Sequence, residues 1–191
     1  MVKERHAGQT IRQFRESQSM SIEELSGKCQ MSVSELEHLE TGQLLPSLAP
    51  LMKIARALGV RLGTFLDDDV QGGAVLERSG QAASVMRFSG SGPSNRGELE
   101  FYSLAARKKD RHMEPFVVEV HPGDEKMPVL SSHEGEEFLY VLQGTIEVVY
   151  GRETHTLQEG DSIYYDSVVP HEVRASGGQD ARILAVVYAP F

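Results

Sequence analysis

"SHEGEEFLYVLQG", residues 132–144, sets one histidine and three carboxylates in front of an alternating apolar run. Read as a strand, it puts Glu137, Leu139 and Val141 on one face and Phe138, Tyr140 and Leu142 on the other, because successive side chains alternate. Glu137 therefore shares a face with two aliphatic residues and can turn inward with them, while Glu134 and Glu136 are expected to face solvent. The same period of two recurs in "ELEFYSLAA", "PFVVEVH", "TIEVVYG", "SIYYDS", "HEVRA" and "ARILAVVYA", each bounded by Gly, Pro, Ser or charge. Short strands at this density over about 115 residues predict an antiparallel sandwich or barrel.

Towards the amino terminus the period changes. From Thr10 to Leu66 apolar residues recur at helical spacing. "SIEEL" offers a capping box through Ser21 and Glu24, and "SVSEL" repeats it with Ser32 and Glu35. Ser47 opens a further helix whose apolar stripe is Leu48, Leu51, Ile54, Ala55 and Leu58; Gly59 closes it, and "RLGTFL" adds a last short one. Five short helices are expected in residues 1–66. "DDDVQGG", residues 67–73, reads as a linker, and residues 74–191 form the strand domain. "SGSGPSNRG", residues 89–97, reads as a flexible loop.

Bulk properties narrow the setting. The amino terminus has no apolar stretch of signal-peptide type, and Cys29 is the sole cysteine, so a reducing cytoplasm is the expected home. Net charge is −9. Residues 1–70 carry 8 basic against 10 acidic side chains, so nucleic-acid binding has to rest on local geometry rather than net charge.

Two resemblances follow from these motifs. "R--R" at Arg12 and Arg15, "MSIEELS", "MSVSELEHLETG" and "PSLAPLMKIARALGV" together resemble the lambda-repressor-like (Xre-type) helix-turn-helix domain. That resemblance implies a recognition helix opening at Ser32, with Val33, Ser34 and His38 at base-facing positions. Phosphate contacts are expected from Lys3, Arg5, Arg12 and Lys28, and the resemblance implies a pairing of Arg15 with Glu40. The recognition helix carries Glu35, Glu37 and Glu40 and no Arg or Lys, which departs from the usual guanine readers. The alternative is a domain that keeps the fold and has lost DNA binding.

The spacing His133-x-x-x-Glu137-x6-Gly144, with "GDSIYYDSVVPH" ending at His171, resembles the cupin family, a small double-stranded jelly-roll barrel. By that resemblance His133, Glu137 and His171 would ligate a divalent metal, while Ser131 stands where the family's first histidine is expected. Two imidazoles and one carboxylate suit Fe(II), and Zn or Ni less specifically. The competing reading is a His–Glu–His cluster held by its own hydrogen bonds without metal.

The fold class implied is α + β in two domains: a five-helix lambda-repressor-like bundle, then a cupin β-barrel. The function implied is a cytoplasmic DNA-binding transcriptional regulator. Its partners are operator DNA, a small-molecule effector and further copies of itself, as a dimer or higher homo-oligomer. The effector is expected beside the metal positions, near Tyr102, Ser131 and Tyr164. The rival reading is a mononuclear metal-dependent cupin enzyme, an iron oxygenase or epoxidase-like, with a vestigial helix-turn-helix domain.

Overall fold

The computed structural model describes residues 7–44, 46–66, 73–78, 98–108, 111–123 and 130–189, and the backbone of residues 84–88. Most of the expected linker, the 89–97 loop, Lys3 and Arg5 lie outside the described residues. Two compact units divide the chain, one ending at Asp67 and one running from Asp68 to Pro190.

The first unit contains α1 (Ala7–Ser17), α2 (Ile22–Cys29), α3 (Val33–Glu40) and α4 (Leu48–Leu58), then a 3-10 turn at Leu62–Phe65. Ser21 and Glu24 form the full capping box at α2. At α3 the Ser32 hydroxyl accepts from the Glu35 N–H at 3.1 Å. Ser47 occupies the α4 cap without a side-chain bond, and Gly59 ends that helix in the left-handed conformation. The expected fifth helix is the 3-10 turn: four residues are too few to close a second i→i−4 bond.

Ile11, Leu25, Leu36, Leu51 and Ile54 are fully buried and hold the helices together. Each such side chain contributes about 1.5–3 kcal/mol relative to exposure. Among the described residues no helix is long and apolar enough to cross a membrane.

Among the described residues the second unit holds nine strands. They are β1 (Ser84–Phe88), β2 (Leu99–Ser103), β3 (Met113–Val120), β4 (Glu136–Gln143), β5 (Thr145–Tyr150), β6 (Glu153–Gln158), β7 (Ser162–Asp166), β8 (His171–Ala175) and β9 (Ala181–Tyr188). Six form one sheet in the order β1-β2-β3-β9-β4-β7, and three form a second in the order β6-β5-β8. Every pairing is antiparallel.

Burial follows the pleat. Phe116, Val118 and Val120 of β3, Leu139 and Val141 of β4 and Ile183, Ala185 and Val187 of β9 are buried on one face of the large sheet. Ile146 and Val148 of β5 and Leu157 of β6 are buried in the smaller sheet. Gly144 turns β4 into β5 at φ +80°, where an added Cβ would lie 2.8 Å from the Asp180 carbonyl oxygen. That contact explains a glycine seven residues after Glu137.

Candidate functional site

Three expected ligand residues reach one point from separate segments. Glu137 lies on the buried face of β4, His133 in the segment entering it, and His171 opens β8 of the other sheet. Backbone bonds clamp the two approaching loops together. His133 N–H donates to the Ser167 carbonyl at 3.0 Å, and Ser167 N–H to the Gly135 carbonyl at 2.9 Å. Ser131 and His171 exchange a reciprocal pair at 2.9 Å each. Gly135 adopts φ +111°, and a Cβ there would sit 2.0 Å from the Tyr188 carbonyl oxygen, so this loop closes only around glycine.

His133 Nε2 stands 2.8 Å from Glu137 Oε1, and His171 Nε2 stands 3.4 Å from the same oxygen. All three residues are buried. The two rings meet edge to face, with centroids 5.3 Å apart. His133 Nδ1 lies 3.1 Å from the Glu134 carbonyl and His171 Nδ1 lies 2.9 Å from the Val169 carbonyl. A carbonyl only accepts, so each ring carries a proton on Nδ1 and turns Nε2 towards the carboxylate. This is the orientation that backbone acceptors impose on metal-binding histidines.

Two bare Nε2 lone pairs against a carboxylate oxygen would repel. A positive centre belongs between them, either a proton carried by an imidazole or a cation. The donor set therefore fits a divalent metal, and ligand atoms of the three residues lie within 4.8 Å of one another.

Two further side chains hold the carboxylate. Tyr165 donates its hydroxyl to Glu137 Oε2 at 2.8 Å, and Ser167 donates to Oε1 at 3.2 Å. Burial raises the Glu137 pKa, but bonds from His133 and His171 outweigh it and hold the carboxyl well below the usual carboxylate range. Burial lowers that of His171, and its bond to Glu137 overrides this to leave it raised. Burial and the Glu137 charge push Tyr165 far up, so its hydroxyl stays a donor. Glu137 is thus a fixed anion.

The expected pocket residues fare differently. Ser131 pairs with His171 through the backbone, and its side chain is exposed. Tyr164 is not beside the site: it pairs with Phe138 on the opposite face of the sheet and is 63 % exposed. Tyr102 likewise pairs with Val117, the parity opposite to buried Phe101 and Ser103. The tyrosine that reaches Glu137 is Tyr165, in register with it, and Tyr150 stacks on Tyr165 at 5.4 Å. Tyr165 and Ser167 were missed; the adjacent pair in "SIYYDS" was the available signal, but its parity against β4 is a tertiary fact.

On the helical unit, Ser34 and His38 are exposed on α3, and Val33 is half-buried at its start. Lys28 is exposed at the end of α2. Arg12 is exposed, but its guanidinium pairs with Glu16 at 2.8 Å. Arg15 grips Glu40 with a two-pronged fork at 2.7 and 2.8 Å and caps the Met20 carbonyl at 3.0 Å, fixing α1 against α3.

Fold and site together define a helical domain of helix-turn-helix form joined to a β-domain with a His–Glu–His centre. Residues 11–65 match the family model for the helix-turn-helix, and residues 116–187 match that for the cupin domain. The chain thus carries a helix-turn-helix domain followed by a cupin domain.

Its fold is similar to the crystal structure of an HTH_3 family transcriptional regulator from Vibrio cholerae, with 20 % identity, TM-score 0.67, and coverage of 97 % of this chain and 96 % of that one. It is also similar to Fe(II)-HppE crystallised with an alternative substrate, with 22 % identity, TM-score 0.52, and coverage of 96 % and 97 %. By sequence it is 27 % identical over 180 residues to (S)-2-hydroxypropylphosphonic acid epoxidase of Streptomyces wedmorensis, covering 87 % of this chain and 85 % of the relative. It is 23 % identical over 166 residues to methylphosphonate synthase of Nitrosopumilus maritimus, of which the match covers 35 %.

Proposed function

We propose that this protein is a sequence-specific DNA-binding transcriptional regulator whose cupin domain senses a small molecule. The observation that carries the reading is the helix-turn-helix unit with the outer side of its second helix free: Ser34 and His38 are exposed on α3. The Arg15–Glu40 fork fixes that helix against α1, so its side chains are presented rigidly. Val33 would meet a thymine methyl, Ser34 and His38 would bond base edges, and Lys28 would take a phosphate. Arg12 contributes less than its exposure suggests, because Glu16 shares its charge. Glu37 repels the backbone. DNA binding is then weak without sequence match, and paired half-sites call for paired copies of the chain.

The sensing centre on this reading is His133, Glu137 and His171. A divalent ion there, Fe(II), Zn or Ni, would supply coordination positions open to a polar effector. The chain's own part is to hold Nε2 of both rings inward through the Glu134 and Val169 carbonyls and to lock the carboxylate through Tyr165 and Ser167.

The test is a gel shift of the chain against its own upstream region and a randomised duplex library, at stated salt, with and without added metal. Saturable, sequence-selective retardation is expected. No shift at any low-salt concentration, together with stoichiometric iron and oxygen uptake, would overturn it.

A second reading, a mononuclear metal-dependent enzyme, is favoured by one observation. The 180-residue match to an epoxidase is too long to fall on the cupin domain alone. Metal-dependent turnover of oxygen by the purified chain would decide for it.

A further inference from the structure

The two oxygens of Glu137 are used differently. Oε1 faces both imidazoles, 2.8 Å from His133 Nε2 and 3.4 Å from His171 Nε2, and Ser167 donates to it at 3.2 Å. Oε2 accepts the Tyr165 hydroxyl at 2.8 Å. A carboxylate can bind a cation through one oxygen or through both. Binding through both would require Oε2 to turn from Tyr165 towards the imidazoles.

Tyr165 cannot follow such a turn. It is 4 % exposed and stands opposite Glu137 in the register of β4 and β7. Its ring packs against His171 with centroids 5.1 Å apart and against Tyr150 at 5.4 Å. His171 and Tyr150 are themselves register partners on β8 and β5. A tyrosine of the large sheet is therefore wedged against two rings of the small one, and its hydroxyl is held where Oε2 lies. A hydroxyl that lost Oε2 would be left buried without that acceptor, which proteins rarely tolerate.

We propose that Tyr165 is a positioning residue that restricts Glu137 to a single oxygen, Oε1, as a ligand for a divalent ion. Two imidazoles and one carboxylate oxygen leave three positions of an octahedral ion to other ligands; a carboxylate using both oxygens leaves two. Tyr165 thus sets how many donor atoms a bound solute can bring, and it does so through Glu137 without touching the ion. This role rests on the reading of His133, Glu137 and His171 as the ion's ligands, and it is the same in a sensor and in an enzyme.

The test is difference infrared spectroscopy of the chelator-stripped full chain with and without Ni(II), using glutamate isotopically labelled at the side-chain carboxyl. Bands absent from Glu137→Gln belong to this carboxylate. One-oxygen binding gives widely separated symmetric and antisymmetric stretches, and two-oxygen binding gives closely spaced ones. Wild type should show the wide pair. Tyr165→Phe keeps the packed ring and drops only the hydroxyl; it should exchange the wide pair for the close one while binding Ni(II) within about tenfold of wild type. Ser167→Ala removes a bond to the other oxygen and should keep the wide pair. A Tyr165→Phe protein that keeps the wide pair would overturn the proposal. So would one that no longer takes up Ni(II), because the phenol would then hold the centre together rather than select an oxygen. A wild type with the close pair overturns it too and leaves the metal reading standing. A wild type that takes up no ion removes the metal reading and this role with it.

Discussion

Glu137→Gln tests the centre most directly, because it keeps side-chain volume and removes only charge. In the metal-free protein Glu137 accepts from Tyr165 at 2.8 Å and Ser167 at 3.2 Å and faces His133 Nε2 at 2.8 Å. The amide keeps one acceptor and turns a donor towards a hydroxyl or a ring. Charge-assisted bonds then fall to neutral ones, costing about 2–3 kcal/mol, less than the 3–5 of leaving a buried partner alone.

With metal the effect is larger, since the sole anionic ligand of the set is gone. A hundredfold weaker affinity is about 2.7 kcal/mol. Metal at a hundred times its dissociation constant stabilises wild type by about 2.7 kcal/mol, but stabilises the variant at the same concentration by only ~0.4 kcal/mol. In a domain of this size those figures correspond to melting shifts of about 10 °C and about 1–2 °C. The assay is thermal melting of chelator-stripped protein titrated with Zn, Ni or anaerobic Fe(II). A variant that shifts as far as wild type would refute the ligand role of Glu137. A wild type that does not shift would remove the metal altogether.

Three other outcomes are expected. In stripped protein the lowered Glu137 pKa stabilises the fold above the ordinary carboxylate range, and this is lost as pH falls through the folded value; the raised His171 pKa stabilises below the ordinary imidazole range, and this is lost as pH rises through its folded value. Stability should therefore peak near about pH 5–6 and decline above it, while saturating metal moves the peak upward by competing with the proton; a stripped domain that gains stability above neutrality contradicts this. Arg15→Ala leaves Glu40 buried without its fork and should cost the helical unit about 3 kcal/mol by chemical denaturation, with Lys a poor substitute; a cost below about 0.5 would show the pair to be incidental. Gly135→Ala drives a Cβ into the Tyr188 carbonyl and should cost about 2–4 kcal/mol while weakening metal uptake, because the clamp to Ser167 shifts; unchanged melting would refute the close approach.

What the sequence disclosed follows the range of the interactions. Ser21 with Glu24 is a local device, complete within one turn, and it stands as expected. Parity groups Glu137 with Leu139 and Val141, and the His133-x-x-x-Glu137-x6-Gly144 resemblance to the cupin motif, not alternation, picks that face as the inner one. Tyr165 could not be placed, because its side of β7 depends on pairing with Glu137 across strands, and "YY" offers both parities. Tyr102 was misplaced for a related reason. Its strand has large residues on both faces, Phe101 and Tyr102, so alternation alone does not say which is inside.

Ser131 and the acidic recognition helix bear on one another. The serine, which stands where the cupin resemblance implies a histidine, keeps the backbone pairing with His171 at 2.9 Å in both directions. A pair of this kind turns both side chains to the same face, which leaves one side of the centre without an imidazole. Fewer protein ligands weaken metal binding and open one more position to solute. On the proposed reading the α3 helix makes the parallel concession, since Glu37 would lower attraction for any duplex and leave selectivity to Ser34 and His38. Coupling between two sites is worth about 1–3 kcal/mol, enough to change occupancy only where neither is saturated. On the proposed reading, two centres that each bind modestly would sit where a coupling of that size can switch one through the other. An enzyme using the same centre gains nothing from weak DNA contact.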